Sequence, residues 1–306
     1  MTTIGCAELR ENEIECDQDR YAVLGSLEGN SSLLEPGHLR ERLIALDDLD
    51  AEWGDIDSKA CGDLRSYERV QALRTRFEAA NAELYETMRL EIVGGGRPRA
   101  LCQWLQGSEI QDESQISLRG LGFDWRDELL SGVLQLREPD EPDIQLLPEM
   151  VPYQPTPVRH MLDLLTATAL SEEDVFVDLG SGMGHVPLLI SMVTGARCLG
   201  IEVQAACVAS ARECAESLQL REVRFIAQNA RAADFSSGTV FYLYSPFRGS
   251  MLTGVLSLLR RESLGRAIKV CSLGPCTRII ANERWLTPRA QPDAGRVTVF
   301  DSRRPD

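Results

Sequence analysis

From about Pro36 to Leu105, apolar side chains follow one another with the spacing of amphipathic helices. In the longest run, after Leu64, they recur three and four positions apart, at Leu73, Phe77, Ala80, Leu84 and Met88. The period-two pattern of a strand is missing from this part. Three glycines at 94–96 and a proline two residues later end the run, as such residues end helices. The pattern predicts a helical first part of the chain.

After Val151 the pattern changes to short apolar runs separated by helical stretches. Strands are predicted at 174–180, 197–203, 223–228, 239–245 and 267–273, and helices near 184–194, 203–219 and 248–261. Two further runs, 278–285 and 296–302, predict strands that pair as a hairpin at one edge. Together they predict an α/β fold with a doubly wound, Rossmann-like sheet of seven strands and a terminal antiparallel hairpin, preceded by a mostly helical N-terminal domain.

Two polar segments indicate the domain limits. Residues 107–120 favour a linker or surface loop, and the segment before Leu146 is acidic and contains prolines. We therefore expect an acidic, mostly helical domain over 1–120, a connector over 121–150 and a second domain over 151–306. No apolar stretch is long enough to span a bilayer, and the N-terminus lacks the basic and apolar parts of a signal peptide. These features predict a cytoplasmic protein.

The net charge of -15 is unevenly distributed over the 306 residues. Residues 1–150 contain 32 acidic and 15 basic side chains, whereas residues 151–306 contain 15 acidic and 17 basic ones. An acidic half repels a phosphate backbone, so nucleic acid is an unlikely partner, and a basic protein or a cationic small molecule is favoured. The alternative is an acidic surface that only keeps the protein soluble.

Nine cysteines are present, without a CxxC pair, and only three histidines could complete a metal set. We interpret the cysteines as reduced thiols, most of them packed in the core, and expect neither a disulfide framework nor a metal site.

The end of the first predicted strand carries the clearest signal, DLGSGMG at Asp178 to Gly184. Its glycines, Gly180, Gly182 and Gly184, are spaced two apart, whereas the dinucleotide fingerprint places its third glycine three after the second. A carboxylate at Asp178 would also repel a pyrophosphate but suits a ligand with a positive sulfur and an ammonium group. The run, with Ser181 inside it, resembles the first motif of class I S-adenosylmethionine-dependent methyltransferases.

Two later strand ends agree with this donor. Glu202 ends the second strand, where an acidic side chain can accept hydrogen bonds from both ribose hydroxyls. Asn229 follows the third strand, where it can face the adenine, although an ordinary loop asparagine is an equal alternative.

The segment VPYQPTPVRHML (151–162) predicts a proline-stiffened loop that enters a helix, with Thr156 as N-cap and Pro157 as the first helical residue. It resembles the Y-x-P-T-P run of archaeal and mitochondrial protein-lysine methyltransferases and the Y-x-x-T run of the non-SET histone-lysine methyltransferases. The resemblance covers roughly 150–285 and implies that Tyr153 and Thr156 contact the methionine part of the donor.

The fourth strand ends in Ser245, Pro246 and Phe247. Methyltransferases that modify amines often have Asn or Asp, two prolines and an aromatic residue here, so the resemblance implies that these three residues face the acceptor. Ser245 departs from the pattern, and a hydroxyl orients a nucleophile less well than a carboxylate. A turn with a packing aromatic residue is the alternative.

Two other side chains are weaker candidates. His185 could act as a base but is better interpreted as the residue that opens a helix near the cofactor. Cys276 follows Gly274-Pro275 in a turn and lacks a histidine partner that would make it a nucleophile.

The sequence thus predicts a methyltransferase whose acceptor is a protein lysine. A small-molecule N- or O-methyltransferase is the alternative, and a catalytically silent donor-binding module is a third possibility. No metal is required for methyl transfer. We expect the helical first half to cover the cavity and select the substrate.

Overall fold

The computed structural model describes residues 20–53, 64–106, 122–139 and 147–303. These residues form two compact units, and the boundary in the sequence lies between Thr87 and Met88. The division into 1–120, 121–150 and 151–306 stays a prediction.

The first unit is built from helices, as predicted. Residues 20–29 lie in helix α1, and two short 3-10 helices, Ser31–Leu34 and Pro36–His38, lead into α2 (Leu39–Trp53). Helix α3 (Leu64–Val93) begins in this unit. The predicted positions Leu73, Phe77 and Leu84 are buried, because one apolar stripe of α3 faces the core.

The second unit begins with the last turns of α3 and contains both helices and strands. Its helices are α4 (Arg99–Gln106), α5 (Trp125–Leu134), α6 (Val158–Thr168), α7 (His185–Thr194), α8 (Ala205–Ser217), α9 (Gly249–Gly265) and α10 (Cys276–Ile280). Its strands are β1 (Val175–Leu179), β2 (Arg197–Glu202), β3 (Val223–Ala227), β4 (Val240–Tyr244), β5 (Lys269–Leu273), β6 (Leu286–Pro288) and β7 (Thr298–Ser302). Among the helices that the structure describes, none combines the length and the apolar composition that a membrane crossing requires.

The seven strands form one sheet in the order β3-β2-β1-β4-β5-β7-β6. Strands β1 to β5 pair in parallel, whereas β7 pairs antiparallel with both β5 and β6. The strand order reverses between β1 and β4, where β2 and β3 lie on one side and β5 on the other. The predicted doubly wound sheet of seven strands with a terminal hairpin is confirmed.

One predicted strand is wrong in its position. The aliphatic run at 278–285 contains the end of α10, and β6 begins only at Leu286. Cys276, Thr277 and Ile280 are buried while Ile279 is exposed, which is the spacing of a helix face. The Thr277 hydroxyl also lies 2.8 Å from the hydroxyl of Ser272 in β5, which fixes this turn of helix against the sheet.

Every residue of β1 is buried, because helices cover both faces of the sheet. One face packs Val177, Leu179 and Phe241 against Leu252 and Val255 of α9. This rigid centre positions the turns that follow the strands.

Candidate functional site

The ends of the parallel strands open into a cavity of about 590 Å³. It lies where the strand order reverses, the usual ligand position in open α/β sheets. The predicted site residues that line it are Tyr153, Thr156, Asp178, Gly180, Ser181, Glu202, Asn229, Ser245, Pro246 and Phe247. The predicted residues Gly182 and Gly184 are not among the lining residues.

The turn from β1 to α7 has three glycines with positive φ, at Gly180, Gly182 and Gly184. A Cβ on Gly182 would lie 2.1 Å from the ring of Tyr153, and a Cβ on Gly184 would lie 2.4 Å from the ring of Phe225. Glycine is required here because other residues are strained at positive φ and because two aromatic rings pack against the backbone. These two glycines therefore shape the cavity without lining it.

Asp178 is only 4% exposed at the end of β1. Burial raises its pKa well above the usual range, and the nearby charge of Glu202 adds to the effect. A buried carboxyl of this kind ionises readily only when a positive charge lies beside it. The floor of the cavity is therefore suited to a cationic group.

Glu202 is held by three backbone N–H groups. Its Oε2 accepts a hydrogen bond from Gly182 at 3.0 Å, and its Oε1 accepts from Val203 at 2.7 Å and Gln204 at 3.0 Å. A carboxylate has about four acceptor positions, so one remains for a ligand. The same bonds connect the end of β2 to the glycine turn.

Tyr153 and His185 form a half-buried pair at one wall. The Tyr153 hydroxyl lies 2.9 Å from Nδ1 of His185, and the two rings are stacked. Burial raises the pKa of Tyr153 and lowers the pKa of His185 to about 4. His185 is the first residue of α7, as predicted, and its neutral ring positions Tyr153 rather than serving as a free base.

The expected N-cap at Thr156 is wrong. Pro157 is the N-cap of α6, without a side-chain hydrogen bond, and the first N–H of the helix, at Val158, donates to Oδ1 of Asp127 at 2.9 Å. Burial raises the pKa of Asp127 to about 6, against the lowering effect of its backbone hydrogen bonds. Because α5 supplies the cap, Thr156 lines the cavity as a buried side chain.

Asn229 also has a local partner. Its Oδ1 accepts a hydrogen bond from the backbone of Arg231 at 2.9 Å and thereby caps the 3-10 helix Ala230–Ala232. Its side-chain amide N–H groups remain available to acceptors on a ligand.

Four buried polar atoms of the lining residues lack a hydrogen-bond partner in the described part of the chain, Nε of Arg159 and Nδ1 of His160 among them. The other two are the hydroxyl oxygens of Ser181 and Tyr242, and the Tyr242 side chain is only 1% exposed. Leaving such groups unpaired costs free energy, so a cavity lined by them is suited to a polar ligand. S-adenosylmethionine fits this requirement, because it combines polar groups with the positive charge that Asp178 favours.

The sequence around this site matches a known family. Residues 151–241 match the family model described as histone methylation protein DOT1. The match spans the loop at Tyr153, the glycine turn and Glu202, and the sheet has the strand order described above. This part of the chain is a class I S-adenosylmethionine-dependent methyltransferase domain.

Solved structures of other methyltransferases are similar to this domain. An RNA methyltransferase from Salinibacter ruber in complex with S-adenosyl-L-homocysteine is 28% identical, with a TM-score of 0.41, over 49% of this chain and 92% of that chain. A precorrin-6y C5,15-methyltransferase from Geobacter metallireducens is 15% identical, with a TM-score of 0.38, over 51% of this chain and 93% of that chain. A comparison with curated protein sequences finds no match.

The expected acceptor site follows β4 in the methyltransferase domain. Ser245 has a φ of 44°, and its hydroxyl donates to the carbonyl of Leu273 at 2.9 Å and accepts from the N–H of Cys276 at 3.0 Å. The Pro246 carbonyl accepts from Val151, and Phe247 is 5% exposed within the core. The Ser245 hydroxyl therefore joins two turns, and its part in orienting the acceptor stays a prediction.

Cys276, which was predicted to lie in a connecting turn, is instead the first residue of α10. Its thiol is buried against the carbonyls of Leu243 and Leu273, and burial raises its pKa. A thiol in this state is a poor nucleophile.

Sequence analysis missed other cavity residues, among them Arg159, Tyr242, Tyr244 and Arg248. Tyr242 and Tyr244 are two positions apart in β4, so their side chains lie on the same face of the sheet. Asp178 of β1 is the register partner of Tyr242, so its side chain lies on that face too. The alternation of Tyr242 and Tyr244 was the available signal. Nothing in the local pattern distinguishes Arg159 from an ordinary residue of an amphipathic helix.

Proposed function

We propose that this domain transfers a methyl group from S-adenosylmethionine to the side-chain amine of a protein lysine. The match of residues 151–241 to a histone methylation family supports the acceptor class. The observation that carries the donor site is the buried carboxyl of Asp178 beside the fixed Glu202, at the reversal of strand order.

In this proposal each end of the donor meets a different part of the wall. Asp178 lies against the cationic part, the backbone at Gly180 allows close approach, and the free acceptor position of Glu202 receives a ribose hydroxyl. Asn229 lies at the adenine, and Tyr153 and Thr156 lie at the methionine part. The unpaired hydroxyls of Ser181 and Tyr242 gain partners when the donor binds.

Methyl transfer needs a neutral nitrogen behind the methyl group, in line with the bond to sulfur. The new bond joins nitrogen to the methyl carbon, the carbon–sulfur bond breaks, and S-adenosylhomocysteine leaves. The described residues at the end of β4 include no carboxylate in the cavity wall, so the lysine loses its proton to water. The protein contributes alignment and exclusion of water from the methyl group.

Calorimetry tests the donor site. S-adenosylmethionine and S-adenosylhomocysteine should bind and NAD should not, and Tyr242→Phe should weaken S-adenosylhomocysteine about fivefold, because a charge-free hydrogen bond is worth roughly 1 kcal/mol. Binding of NAD alone would overturn the proposal. Leu264→Ala, at an exposed position of α9, is the control.

Radiolabelled donor and a cell extract test the acceptor. Label that stays macromolecular until protease is added supports a protein acceptor, and acid hydrolysis should then release methyllysine. Label that passes a size filter would show a small-molecule acceptor, and donor binding without transfer would show a silent module. The expectation that the helical first half covers the cavity and selects the substrate stays a prediction.

A further inference from the structure

The two ends of the cavity carry opposite charge. Asp178 and Glu202 line the end where the donor is proposed to bind, and the charge of Glu138 adds to the raised pKa of Tyr153. Arg159 and Arg248 line the other part. A cationic donor matches the first end, which leaves the two guanidinium groups for a ligand of opposite charge.

Arg159 is packed against the backbone although it has no charged partner among the described residues. Its guanidinium lies against the backbone of Gly122, so close that a Cβ there would be 2.1 Å from Nη2. The Nε atom is buried without a hydrogen-bond partner, and no carboxylate in the described part of the chain lies within salt-bridge distance of it. The side chain as a whole is half-buried, but its buried Nε needs an acceptor, so this position favours a ligand with an acceptor group such as a carboxylate.

Arg159 lies near Tyr244 at the end of β4. Its charge acts on Tyr244, whose pKa burial raises and Arg159 lowers, and on the adjacent His160. At the donor end, by contrast, the charge that shifts the pKa of Asp178 is that of Glu202. Tyr244 is the last residue of β4, immediately before the turn that the proposed acceptor approaches.

Arg248 lies at the end of the same turn. It is exposed, and its guanidinium makes one long contact, 3.4 Å, with the carbonyl of Pro148. Arg278 and Arg296 are also exposed and stand next to the lining residues Ile279 and Gly295 in the sequence. The acidic residues Glu149 and Asp293 also stand next to lining residues, so the positive charge in the cavity wall itself is that of Arg159 and Arg248.

We infer that the acceptor is a lysine flanked by acidic residues, whose carboxylates bind Arg159 and Arg248. This inference rests on the proposed function and specifies its substrate. It is opposed to the basic partner that the charge of residues 1–150 favours. Arginine recognises a carboxylate through paired N–H groups, which would place the neighbouring amine beside the end of β4.

Two peptides of equal length test the inference, each with a central lysine, flanked by glutamates in one and by glutamines in the other. Both are titrated by calorimetry into the full chain saturated with S-adenosylhomocysteine. The glutamate peptide should bind about tenfold more tightly, the effect of one charge-assisted hydrogen bond. Arg159→Gln and Arg248→Gln should each reduce the preference to about twofold or less. Arg260→Gln, exposed on α9, should keep it.

Several outcomes would overturn the inference: equal binding of the two peptides, binding of neither, or an unchanged preference in both arginine variants. A competing partner for Arg159 is the carboxylate of the donor itself. In that case Arg159→Gln would weaken S-adenosylhomocysteine but not methylthioadenosine, which lacks the carboxylate. If the wild-type protein failed to bind S-adenosylhomocysteine, the proposed function would fail instead.

Discussion

The turns after β1 and β4 lie side by side at one edge of the sheet, so close that a Cβ on Gly180 would be 2.3 Å from Cβ of Pro246. The first turn is rich in glycine, and the charged residue beside it, Asp178, is the last but one residue of β1. The second has larger side chains, and the hydroxyl expected to act on the acceptor, that of Ser245, bonds to neighbouring backbone.

The difference shows which features of a site can be predicted from the residue types alone. The glycine turn depends on backbone conformation, which residue type determines directly. The direction of the Ser245 side chain depends on its left-handed backbone and on a turn about 30 residues further along the chain. Each of the following variants tests one side of this contrast.

Gly182→Val should have the largest effect, lowering the free energy of unfolding by about 4 kcal/mol. The new side chain would meet the ring of Tyr153 and would be strained at a φ of +52°. Urea denaturation measures the change. Gly265→Ala, where an added Cβ meets nothing within 4 Å, should change stability by less than about 1 kcal/mol. A valine variant as stable as the wild type would show that the turn does not need glycine.

Acid should destabilise the protein through His185. Its pKa is lowered to about 4, so the unfolded chain binds the proton first as the pH falls. The stabilisation is complete above about pH 6.5, is lost between about pH 6.5 and 4, and amounts to at most about 3 kcal/mol. It is measured as the difference between wild type and His185→Gln across this range. The contribution of Asp127 to stability has the opposite pH dependence, but Asp127 is present in both proteins, so its contribution cancels in the difference. A difference that does not vary with pH would contradict the prediction.

Glu202→Gln should lower the free energy of unfolding by about 2 kcal/mol, because an amide cannot accept all three backbone hydrogen bonds. S-adenosylhomocysteine should bind at least about tenfold more weakly, which calorimetry measures. The control is Glu216→Gln, an exposed position on α8. Unchanged affinity would show that Glu202 only stabilises the turn.

Ser245→Ala should cost about 1 kcal/mol of stability, because it leaves the Cys276 N–H and the Leu273 carbonyl unpaired. Methyl transfer to any accepted substrate should change by about twofold at most. Ser257→Ala, an exposed position on α9 where only a bond to Thr253 is lost, is the control. If the variant were as stable as the wild type but more than about tenfold slower, Ser245 would act on the acceptor. The two turns would then not differ in how well their roles were predicted.

The sheet could be predicted because strands that are buried on both faces appear in the sequence as continuous apolar runs. The prediction of a strand at 278–285 was wrong because aliphatic residues suit both strands and helices. The helix α10 buries Ile280 in the core. The donor end followed from Asp178 and Glu202, each at the end of a strand.

The other half of the site depends on contacts distant in the sequence. Asp127 replaces Thr156 as the group that caps α6, and it comes from a helix about 30 residues earlier. The position of Arg159 depends on Gly122, which precedes it by a similar distance. Such pairs cannot be predicted from one sequence, because no local period relates their members.

The segment before Tyr153 is joined to the end of β4 at several points. The Glu149 carboxylate accepts hydrogen bonds from the backbone of Ser250 and Met251 at the start of α9, and from the Ser250 hydroxyl. Its carbonyl accepts from the N–H of Arg248, and Val151 donates to Pro246. A fragment designed to begin after Val151 would therefore leave α9 uncapped and the Tyr153 loop untethered. A recombinant catalytic fragment should retain Glu149.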